Sequence, residues 1–426
     1  MKTRRYLQVV LFGLAALFLA GCKHPATHPE PVSTGYVFDQ PTPVLQKLGI
    51  ARSTSARLGM RVSGQVYLPV VYGKQNRFGF FMSPNVGDTF MGPVPISAPD
   101  GNVVAHGEAS PMFALGTTQL YVLWQQEDGH GTHLLTARSL TWGHSFDKPV
   151  NVITKNKPSF NGYGSIGVAP NGDVYVVWLD GRDPQPPVPD SLDPTGTFSV
   201  YIARSSDHGA SFGRNVRIAF GACPCCRPTL AFGAHGEVFV AWRKVFPGDI
   251  RDVVVATSRN QGETFTQPVR IAEDHWKLAG CPDSGPSLAV HGNRLYAAWM
   301  SEGGDKPGIR LASSDDGART FTKPIIVSAN VLNPNHPSLA IADDGTALVA
   351  FQGRDPKKSA GWGPLAPYLV EFDESGHVTQ PLQVPGSQGS ASYPIVLAGG
   401  AGRIYMAWTE TTDTGSRIVF SRGRKK

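Results

Sequence analysis

A short apolar strand pattern that ends in an aromatic residue recurs seven times along this chain of 426 residues. The first residues of successive copies are 54, 54, 64, 57, 52 and 57 positions apart. The copies are residues 66–72, 120–124, 174–178, 238–242, 295–299, 347–351 and 404–408. A period of this length is typical of small antiparallel sheets repeated around a ring. The pattern therefore predicts an all-β fold, a β-propeller of four-stranded blades.

A second motif follows five of the recurring strands. Residues 205–212 fit the pattern Ser-x-Asp-x-Gly-x-Ser/Thr-Phe/Trp. Related segments are 83–90, 139–146, 258–265 and 313–321, the last with Asp315 and one extra residue. The short polar side chain can bond nearby backbone N–H groups and the glycine can adopt a positive φ, so each segment predicts a hairpin turn. The motif resembles the Asp box, or BNR repeat, of the sialidase superfamily.

The number of blades depends on the last repeat. Residues 393–423 hold three predicted strands and no fourth, and a ring of sheets needs a paired edge to close. We expect the strand near Val37 to supply the missing outer strand, which gives seven blades. The sialidases that the Asp boxes resemble have six, so a six-bladed ring with one displaced repeat is the alternative.

The N-terminal segment has the composition of a secretory signal. Basic residues precede an apolar run over 7–20, which ends in Leu19-Ala20-Gly21-Cys22. This sequence has the form of a lipobox, so residues 1–21 are predicted to be a lipoprotein signal peptide and Cys22 the lipidated residue. Residues 22–35 are predicted to be a tether, and residues 36–426 the propeller domain.

Charge and the lipobox together predict where the protein acts. The formal net charge of +6 falls to +3 when the three basic residues of segment 1–21 are removed. A charge this small over the rest of the chain does not indicate a nucleic-acid-binding protein. Lys23 stands where an inner-membrane retention signal would have Asp. We therefore expect a monomer in the cell envelope, attached by its lipid to a membrane, with the outer membrane favoured.

Two insertions lengthen loops that should lie on one rim of the ring. Residues 180–197 extend the third repeat and residues 353–367 extend the sixth. In a propeller such loops overhang the central channel, where binding surfaces form. We expect a glycan or a small anionic ligand to bind there.

Four cysteines occupy two equivalent places in neighbouring repeats. Cys223-Pro224-Cys225-Cys226 opens the inner strand of repeat four, and Cys281 opens that of repeat five. Adjacent inner strands start side by side, so the four sulfurs are expected to cluster at the channel mouth. Three interpretations stay open: a disulfide that joins neighbouring blades, a thiolate site for copper or zinc, and a redox-active thiol pair.

Polar side chains near the cysteines extend this candidate site. His275 and Trp276 precede Cys281, and His275 is either a further ligand or a surface histidine. Arg243, Asp249 and Arg251 lie in the loop after the second strand of repeat four. They either surround the cysteines or form an ion-pair network that holds the loop.

The sialidase resemblance implies a catalytic site. Members of that superfamily clamp a carboxylate with three arginines, use a Tyr activated by Glu as nucleophile, and use an Asp as acid and base. Tyr393 opens the last inner strand and Glu410 ends the next strand, which makes Tyr393 the candidate nucleophile. Arg182 and Asp183 resemble the family segment that holds an Arg and the acid/base Asp, although they lie in the third repeat.

The arginine clamp is harder to assign. The Arg-Ile-Pro expected in the first inner strand is replaced by Arg57-Leu58-Gly59. Arg227, Arg243 and Arg310 are candidates for the clamp, and each could instead form surface or inter-blade ion pairs. Tyr393 likewise has a structural alternative, an aromatic side chain lining the channel.

Two functions are consistent with the sequence. The first is a lipid-anchored glycoside hydrolase related to exo-sialidases, with Tyr393, Asp183 and an arginine cluster in the channel. The second is a non-enzymatic binding module in which the cysteine cluster holds a metal or staples a recognition surface. The enzyme requires Tyr393, a carboxylate and at least two arginines in one pocket.

Overall fold

The computed structural model describes residues 33–426, apart from 46–47, 49, 51–52, 55–56, 62, 97–101, 129–130, 155–158, 194–195, 305 and 359–360. The predicted signal peptide, Cys22 and most of the predicted tether lie outside the described residues. Across the described part of the chain, no helix is long and apolar enough to span a membrane. Helical structure there is limited to short 3₁₀ turns such as Gly107–Ala109 and Pro247–Asp249.

The strands are numbered in chain order, and seven groups of them form blades. Strands β1 (Tyr36–Phe38) and β2 (Thr42–Pro43) precede the first blade. Blade one contains β3 (Ser53–Thr54), β4 (Gly59–Met60), β5 (Val66–Tyr72), β6 (Arg77–Ser83) and β7 (Met91–Pro95). Blade two contains β8 (Asn102–Val103), β9 (Met112–Leu115), β10 (Leu120–Asp128), β11 (Gly131–Ser139) and β12 (Val150–Asn151). Blade three contains β13 (Asn161–Val168), β14 (Val174–Asp180), β15 (Phe198–Ser205) and β16 (Val216–Ala222).

The remaining blades follow the same order. Blade four contains β17 (Thr229–Phe232), β18 (Val238–Phe246), β19 (Ile250–Ser258) and β20 (Val269–Arg270). Blade five contains β21 (Ser287–His291), β22 (Arg294–Ser301), β23 (Gly308–Ser314) and β24 (Ile325–Ile326). Blade six contains β25 (Leu332–Ile341), β26 (Ala347–Arg354), β27 (Ala366–Phe372) and β28 (Leu382–Gln383). Blade seven contains β29 (Ser390–Gly399), β30 (Arg403–Thr412) and β31 (Gly415–Lys425).

Strand pairing confirms the predicted β-propeller. In blades three to seven successive strands pair in sequence order, as in β21-β22-β23-β24, whereas in blades one and two the two short inner segments, β3 with β4 and β8 with β9, both pair with the next strand, β5 or β10. Blades three and four share one eight-stranded sheet, because Ala222 of β16 pairs with Lys244 of β18. That single pair joins two complete four-stranded blades, so the described chain forms the seven blades favoured by the sequence.

The N-terminal strand completes the seventh blade, as was predicted from the absence of a fourth strand in the last repeat. Strand β1 pairs antiparallel with β31, with Tyr36 opposite Lys425 and Phe38 opposite Gly423. Strand β2 pairs with the same strand through Thr42 and Pro43. The outer edge of blade seven is therefore covered by residues from the other end of the chain.

The core consists of apolar layers between neighbouring blades. Each repeat contributes the aromatic residue of its recurring strand, and Trp178, Trp242 and Trp299 are fully buried. Blades seven and one share one such layer, in which Phe81 packs with Phe420 among other apolar side chains. Equivalent layers join each other pair of neighbours. The ring is thus closed by the same apolar contacts that join every other pair of blades.

The Ser-x-Asp-x-Gly motifs, called boxes from here on, form the predicted turns. In the box of blade three, the hydroxyl of Ser205 accepts a hydrogen bond from the Gly209 N–H at 2.7 Å, and Asp207 accepts one from the Ser211 N–H at 3.0 Å. The box of blade five is shifted by one residue from the sequence prediction. Its acceptor is Asp316, not Asp315, no extra residue is present, and Ala318 takes the usual glycine position with φ +67°.

Candidate functional site

The inner strands carry an unusual backbone feature that aims side chains at the channel. Strands β13, β25 and β29 each have a bulge, and the residues in the bulges, Tyr163, His336 and Tyr393, have positive φ values of 53°, 53° and 51°. Asp283, just before β21, has φ +46°. Positive φ is strained for residues with side chains and is found preferentially at functional sites. Repetition of this strain in four blades indicates a functional centre.

Tyr393 and Asp283 form a hydrogen-bonded pair. The Tyr393 hydroxyl donates to Asp283 Oδ2 at 3.0 Å. The ring of His336 lies against the Tyr393 ring, with 4.0 Å between the ring centroids. Burial, together with the charges of Asp283 and Glu108, raises the pKa of Tyr393 far above its usual range. Tyr393 is therefore a neutral phenol that holds its proton against a carboxylate.

Glu108 links this pair to an arginine and a histidine. Its carboxylate lies 3.3 Å from Arg227 Nη2 and 3.1 Å from His336 Nδ1, and its backbone N–H donates to Asp283. Burial favours the neutral acid, but Arg227, His336 and Arg57 outweigh it and lower the pKa of Glu108 to about 2. Glu108 is therefore an ionised carboxylate that orients its neighbours.

Arg57 adds a second buried cation to the site. Its Nε donates to Met112 Sδ at 3.0 Å, and the residue is 7% exposed. Burial and the neighbouring charge of Arg227 lower the pKa of Arg57 to about 9, against the opposing effect of Glu108. An anionic group bound beside Arg57 and Arg227 would offset this mutual repulsion.

Two hollows meet at Tyr393. The first, of about 140 Å³, is lined by Arg57, Glu108, Arg227, His336, Tyr393 and neighbouring strand residues. The second, of about 380 Å³, is lined by residues of blades two and seven that include His106, Ser392, Tyr393 and Thr409. Tyr393 thus contributes to the lining of a charged hollow and of a larger one that has both polar and apolar lining.

A glycine permits the close approach of Asp283. Gly107 has φ +51°, and a Cβ placed on it would lie 2.6 Å from Asp283 Oδ2. Only a residue without a side chain fits this position without displacing the carboxylate.

The structure places several sequence-predicted residues elsewhere. Asp183 accepts hydrogen bonds from Tyr201 at 2.7 Å and Ser199 at 3.1 Å, both in blade three. Arg182 is held by Asp180, with 2.6 Å between Nη2 and Oδ2. These contacts engage both side chains within their own blade, so Asp283 and not Asp183 is the carboxylate bound to Tyr393.

The other predicted clamp and activator residues also have local partners. Arg243 is buried and donates to the backbone carbonyls of Ser284, Arg251 and Met300. Arg310 pairs with Asp274 at 2.8 Å. Glu410 accepts hydrogen bonds from the 387–389 turn and from Arg417. Of the arginines proposed for the clamp, Arg227 joins the Tyr393 site.

Asp283, Glu108 and His336 were not predicted as site residues, although a signal for them exists. Glu108 and His336 lie where the second and sixth repeats begin, and Asp283 follows Cys281 by two residues at the start of the fifth. Residues that open the inner strands of a propeller surround one channel. The opening positions of the repeats therefore place Glu108 and His336, and Asp283 two residues after one of them, near Tyr393.

The four cysteines lie together beside this site. Cys225 and Cys281 form a disulfide between blades four and five, with Cα atoms 6.2 Å apart. Cys223 and Cys226 are free and buried, and their sulfurs are 3.5 Å apart. Cys225 Sγ lies 3.9 Å from Cys223 Sγ and 4.0 Å from Cys226 Sγ.

Arg251 contacts both a free thiol and an acidic residue of a neighbouring loop, so it has a part of each alternative left open by the sequence. Arg251 Nη1 donates to Cys223 Sγ at 3.0 Å, and Asp193 of the extended 180–197 loop pairs with Arg251. The hydrogen bond from Cys226, and then the charges of Arg251 and Arg243, lower the pKa of Cys223 to about 6 despite burial. Burial and its role as donor raise the pKa of Cys226. Cys223 is thus the more acidic thiol of the pair.

His275 does not join the cysteines in any described contact. Its side chain is 59% exposed and lies 3.7 Å from Glu273. Trp276 is buried, with the guanidinium of Arg243 4.9 Å from its ring centroid. The surface alternative for His275 is the one that matches its surroundings.

Comparison with known proteins supports the fold. No protein-family model and no curated protein matches the chain. An ulvan lyase, described as a new family of polysaccharide lyase and bound to -[GlcA(1-4)Rha3S]-, has a TM-score of 0.56 and 12% identity, over 90% of this chain and 94% of that one. A protein of unknown function from Dyadobacter fermentans has a TM-score of 0.52 and 14% identity, over 78% and 99%.

A sialidase is similar over much of this chain. The Trypanosoma rangeli sialidase in complex with the inhibitor DANA has a TM-score of 0.51 and 12% identity, over 92% of this chain and 60% of that one. This chain therefore spans less than two thirds of the sialidase. At such identities the likeness shows a shared β-propeller fold.

Proposed function

We propose that this protein is a glycan-active enzyme whose substrate is an acidic sugar bound in the central channel. The observation that carries the proposal is the Tyr393–Asp283 pair, with its 3.0 Å hydrogen bond, beside Arg57 and Arg227 in one hollow. A proton donor, a carboxylate and two arginines are the parts that such an enzyme requires. The ulvan lyase and the sialidase that share the fold lend support, because their names describe action on glycans.

Arg57 and Arg227 define the anionic end of the substrate. Both line the smaller hollow, whose volume of about 140 Å³ suits a carboxylate or a similar small group. Arginine is the side chain best suited to bind a carboxylate through two parallel N–H donors. The hollow of about 380 Å³, which Tyr393 also lines, would hold the sugar that carries this group.

Glycoside hydrolysis is the first candidate reaction. The Tyr393 oxygen attacks the anomeric carbon as Asp283 takes the phenolic proton, the glycosidic C–O bond breaks, and Asp283 gives that proton to the departing glycosidic oxygen. Water then releases the sugar from tyrosine and retains the anomeric configuration. Asp283 has in this route the activating role that the sequence resemblance assigned to a glutamate.

Elimination at a uronic acid is the second candidate, and the protonation of Tyr393 favours it. A phenol with a strongly raised pKa keeps its proton, which suits it to protonate a leaving glycosidic oxygen. A base removes the proton next to the carboxylate, and the arginines stabilise the charge that develops there. His336, with its ring 4.0 Å from that of Tyr393, is placed to be that base.

One assay separates the two reactions. The protein is incubated with sialosides and with uronate polysaccharides, and the products are followed as free sugar and as unsaturated uronate. Hydrolysis yields free sugar without unsaturation, and elimination yields the ultraviolet absorbance of the double bond. Turnover should be lost in Tyr393→Phe and kept in Tyr201→Phe, which removes the equivalent Tyr–Asp hydrogen bond in blade three.

The same experiment decides between enzyme and binding module. Binding of an acidic glycan without turnover would replace the enzyme by the non-enzymatic alternative. Neither binding nor turnover across both substrate classes would contradict the proposal.

We also propose that the protein is lipid-anchored in the cell envelope through Cys22, with the outer membrane favoured. The support is the Leu19-Ala20-Gly21-Cys22 sequence after an apolar run. Labelled palmitate should be incorporated into the full chain and not into Cys22→Ala. In cell fractionation the parent should be found in the membrane pellet, and the Cys22→Ala variant should be found outside it. Equal labelling of both chains would contradict the anchor.

A further inference from the structure

The cysteine cluster contains more sulfur than a disulfide uses. The Cys225–Cys281 disulfide accounts for two of its four sulfurs. Cys223 and Cys226 are 0% and 1% exposed, yet neither is bonded to another cysteine. Two buried thiols in contact with each other and with a disulfide sulfur need a further explanation.

The sulfur positions match the spacing of ligands around one metal ion. The three distances among Cys223, Cys225 and Cys226 are 3.5, 3.9 and 4.0 Å. A tetrahedral site with metal–sulfur bonds of about 2.3 Å places its sulfurs about 3.8 Å apart. The sulfurs of Cys223, Cys225 and Cys281 also lie within 4.8 Å of one another. One ion can therefore reach Cys223, Cys225 and Cys281, and Cys226, whose sulfur lies 3.5 Å from that of Cys223 and 4.0 Å from that of Cys225, is the candidate for the fourth ligand.

The surroundings suit anionic sulfur. Arg251 is 1% exposed and directs Nη1 to Cys223 Sγ at 3.0 Å. Arg243 is also buried, its guanidinium is held by the backbone carbonyls of Ser284 and Arg251, and its charge acts on both free thiols. A metal bound by several thiolates carries net negative charge, which buried guanidinium groups stabilise.

We propose that the reduced cluster binds one soft d¹⁰ cation, Zn²⁺ or Cu⁺, through Cys223, Cys225, Cys226 and Cys281. Thiolate is the ligand type that both ions prefer. Binding first requires a dithiol or phosphine reductant, which gives two electrons to the Cys225–Cys281 disulfide. Two protons complete the two thiols, and each ligand thiol loses its proton as the metal–sulfur bond forms. The site is separate from the glycan chemistry and stands or falls without it.

The test measures metal binding in the full chain with Cys22→Ala, which removes the fifth cysteine. Protein purified without chelator is reduced by a phosphine without oxygen and is titrated against a chromophoric chelator for Zn²⁺ and against bicinchoninate for Cu⁺. We expect one ion to bind per chain. The ion that the protein binds with the higher affinity, as measured against its chelator, is the one that the site selects. Protein with the disulfide intact should bind at least 10-fold more weakly.

Matched variants locate the site. Cys226→Ser, which leaves the disulfide pair in place, should weaken binding at least 10-fold, as should Cys223→Ser. Ser284→Ala alters a buried hydroxyl next to the cluster that has no hydrogen-bond partner among the described residues, and should bind as the parent does. If the cysteine variants do not fold, X-ray absorption of the loaded parent should show sulfur ligands at about 2.3 Å.

Three results would overturn the proposal. The first is a reduced parent that withdraws neither ion from its chelator. The second is unchanged binding in both Cys223→Ser and Cys226→Ser. The third is a loaded parent whose absorption spectrum shows nitrogen and oxygen ligands only.

Discussion

Glu108 offers a quantitative test of the charge network at the channel. Its carboxylate is 4% exposed and is held by Arg227 and His336. The pKa of Glu108 is lowered from 4.5 to about 2 in the folded protein. At 1.36 kcal/mol for each pKa unit, this difference corresponds to about 3 kcal/mol of stability.

The pH dependence of this stability contribution follows from the direction of the pKa shift of Glu108. Because the folded pKa is the lower one, the contribution of Glu108 is complete above pH 4.5 and is lost as the pH falls towards about 2. Glu108→Gln removes the charge but keeps the shape of the side chain. The variant should therefore unfold with a free energy about 3 kcal/mol lower than the parent at pH 7, and the gap should close as the pH falls towards 2.

Urea unfolding followed by tryptophan fluorescence at pH 7, 4 and 3 measures this gap. Glu263→Gln, which neutralises an exposed carboxylate, is the control and should stay within about 0.5 kcal/mol of the parent. A gap for Glu108→Gln that is independent of pH would refute the assignment of Glu108 as an ionised partner of Arg227.

Three further variants test the ring, its turns and the site. Tyr36→Ala should lower the free energy of unfolding by about 3 kcal/mol because the buried ring of Tyr36 packs between blades six and seven. The control Val37→Ala, at a position 43% exposed, should not lower it. Equal losses for the two variants in urea unfolding would argue against closure of the ring by β1. Asp207→Ala should lower the free energy of unfolding by about 1 kcal/mol because the turn hydrogen bonds of Asp207 are lost. Ser206→Ala is its control in the same urea unfolding experiments. An unchanged urea midpoint for Asp207→Ala would contradict a stabilising role of Asp207 in the turn. Gly107→Ala should lower kcat/KM because the new methyl group displaces Asp283; unaltered kinetics would show that this carboxylate does not need its present position.

The repetitive parts of the structure were predictable from the sequence. The recurring aromatic strands and the Ser-x-Asp-x-Gly motifs are local patterns, and the structure confirms seven blades with a closing strand near Val37. The box at Ser314 shows where a local pattern misleads. Ala318 stands at the position that glycine occupies in the other motifs, and Gly317 precedes it. Aligning the motif on Gly317 selects Asp315, one residue before Asp316, which accepts the turn hydrogen bonds.

The site depended on geometry that no local pattern contains. Asp283, Glu108 and Tyr393 come from blades five, two and seven, and they meet because inner-strand openings surround one channel. The sialidase resemblance instead selected Asp183, whose segment is similar but whose carboxylate binds Tyr201. The proximity of the four sulfurs was predictable because two equivalent positions on adjacent blades carried them, whereas their pairing was not.

The most direct test of the central claim compares two aspartates. On whichever acidic glycan the protein turns over, Asp283→Asn should lower kcat/KM by about 10²- to 10⁴-fold, since the carboxylate that accepts the phenolic proton in hydrolysis, and that orients the Tyr393 hydroxyl in elimination, is lost. Asp183→Asn, which alters a carboxylate bound to tyrosine in blade three, should leave kcat/KM within about 3-fold of the parent. An Asp283→Asn protein that is folded and fully active, or an Asp183→Asn protein that is folded and inactive, would contradict the channel site.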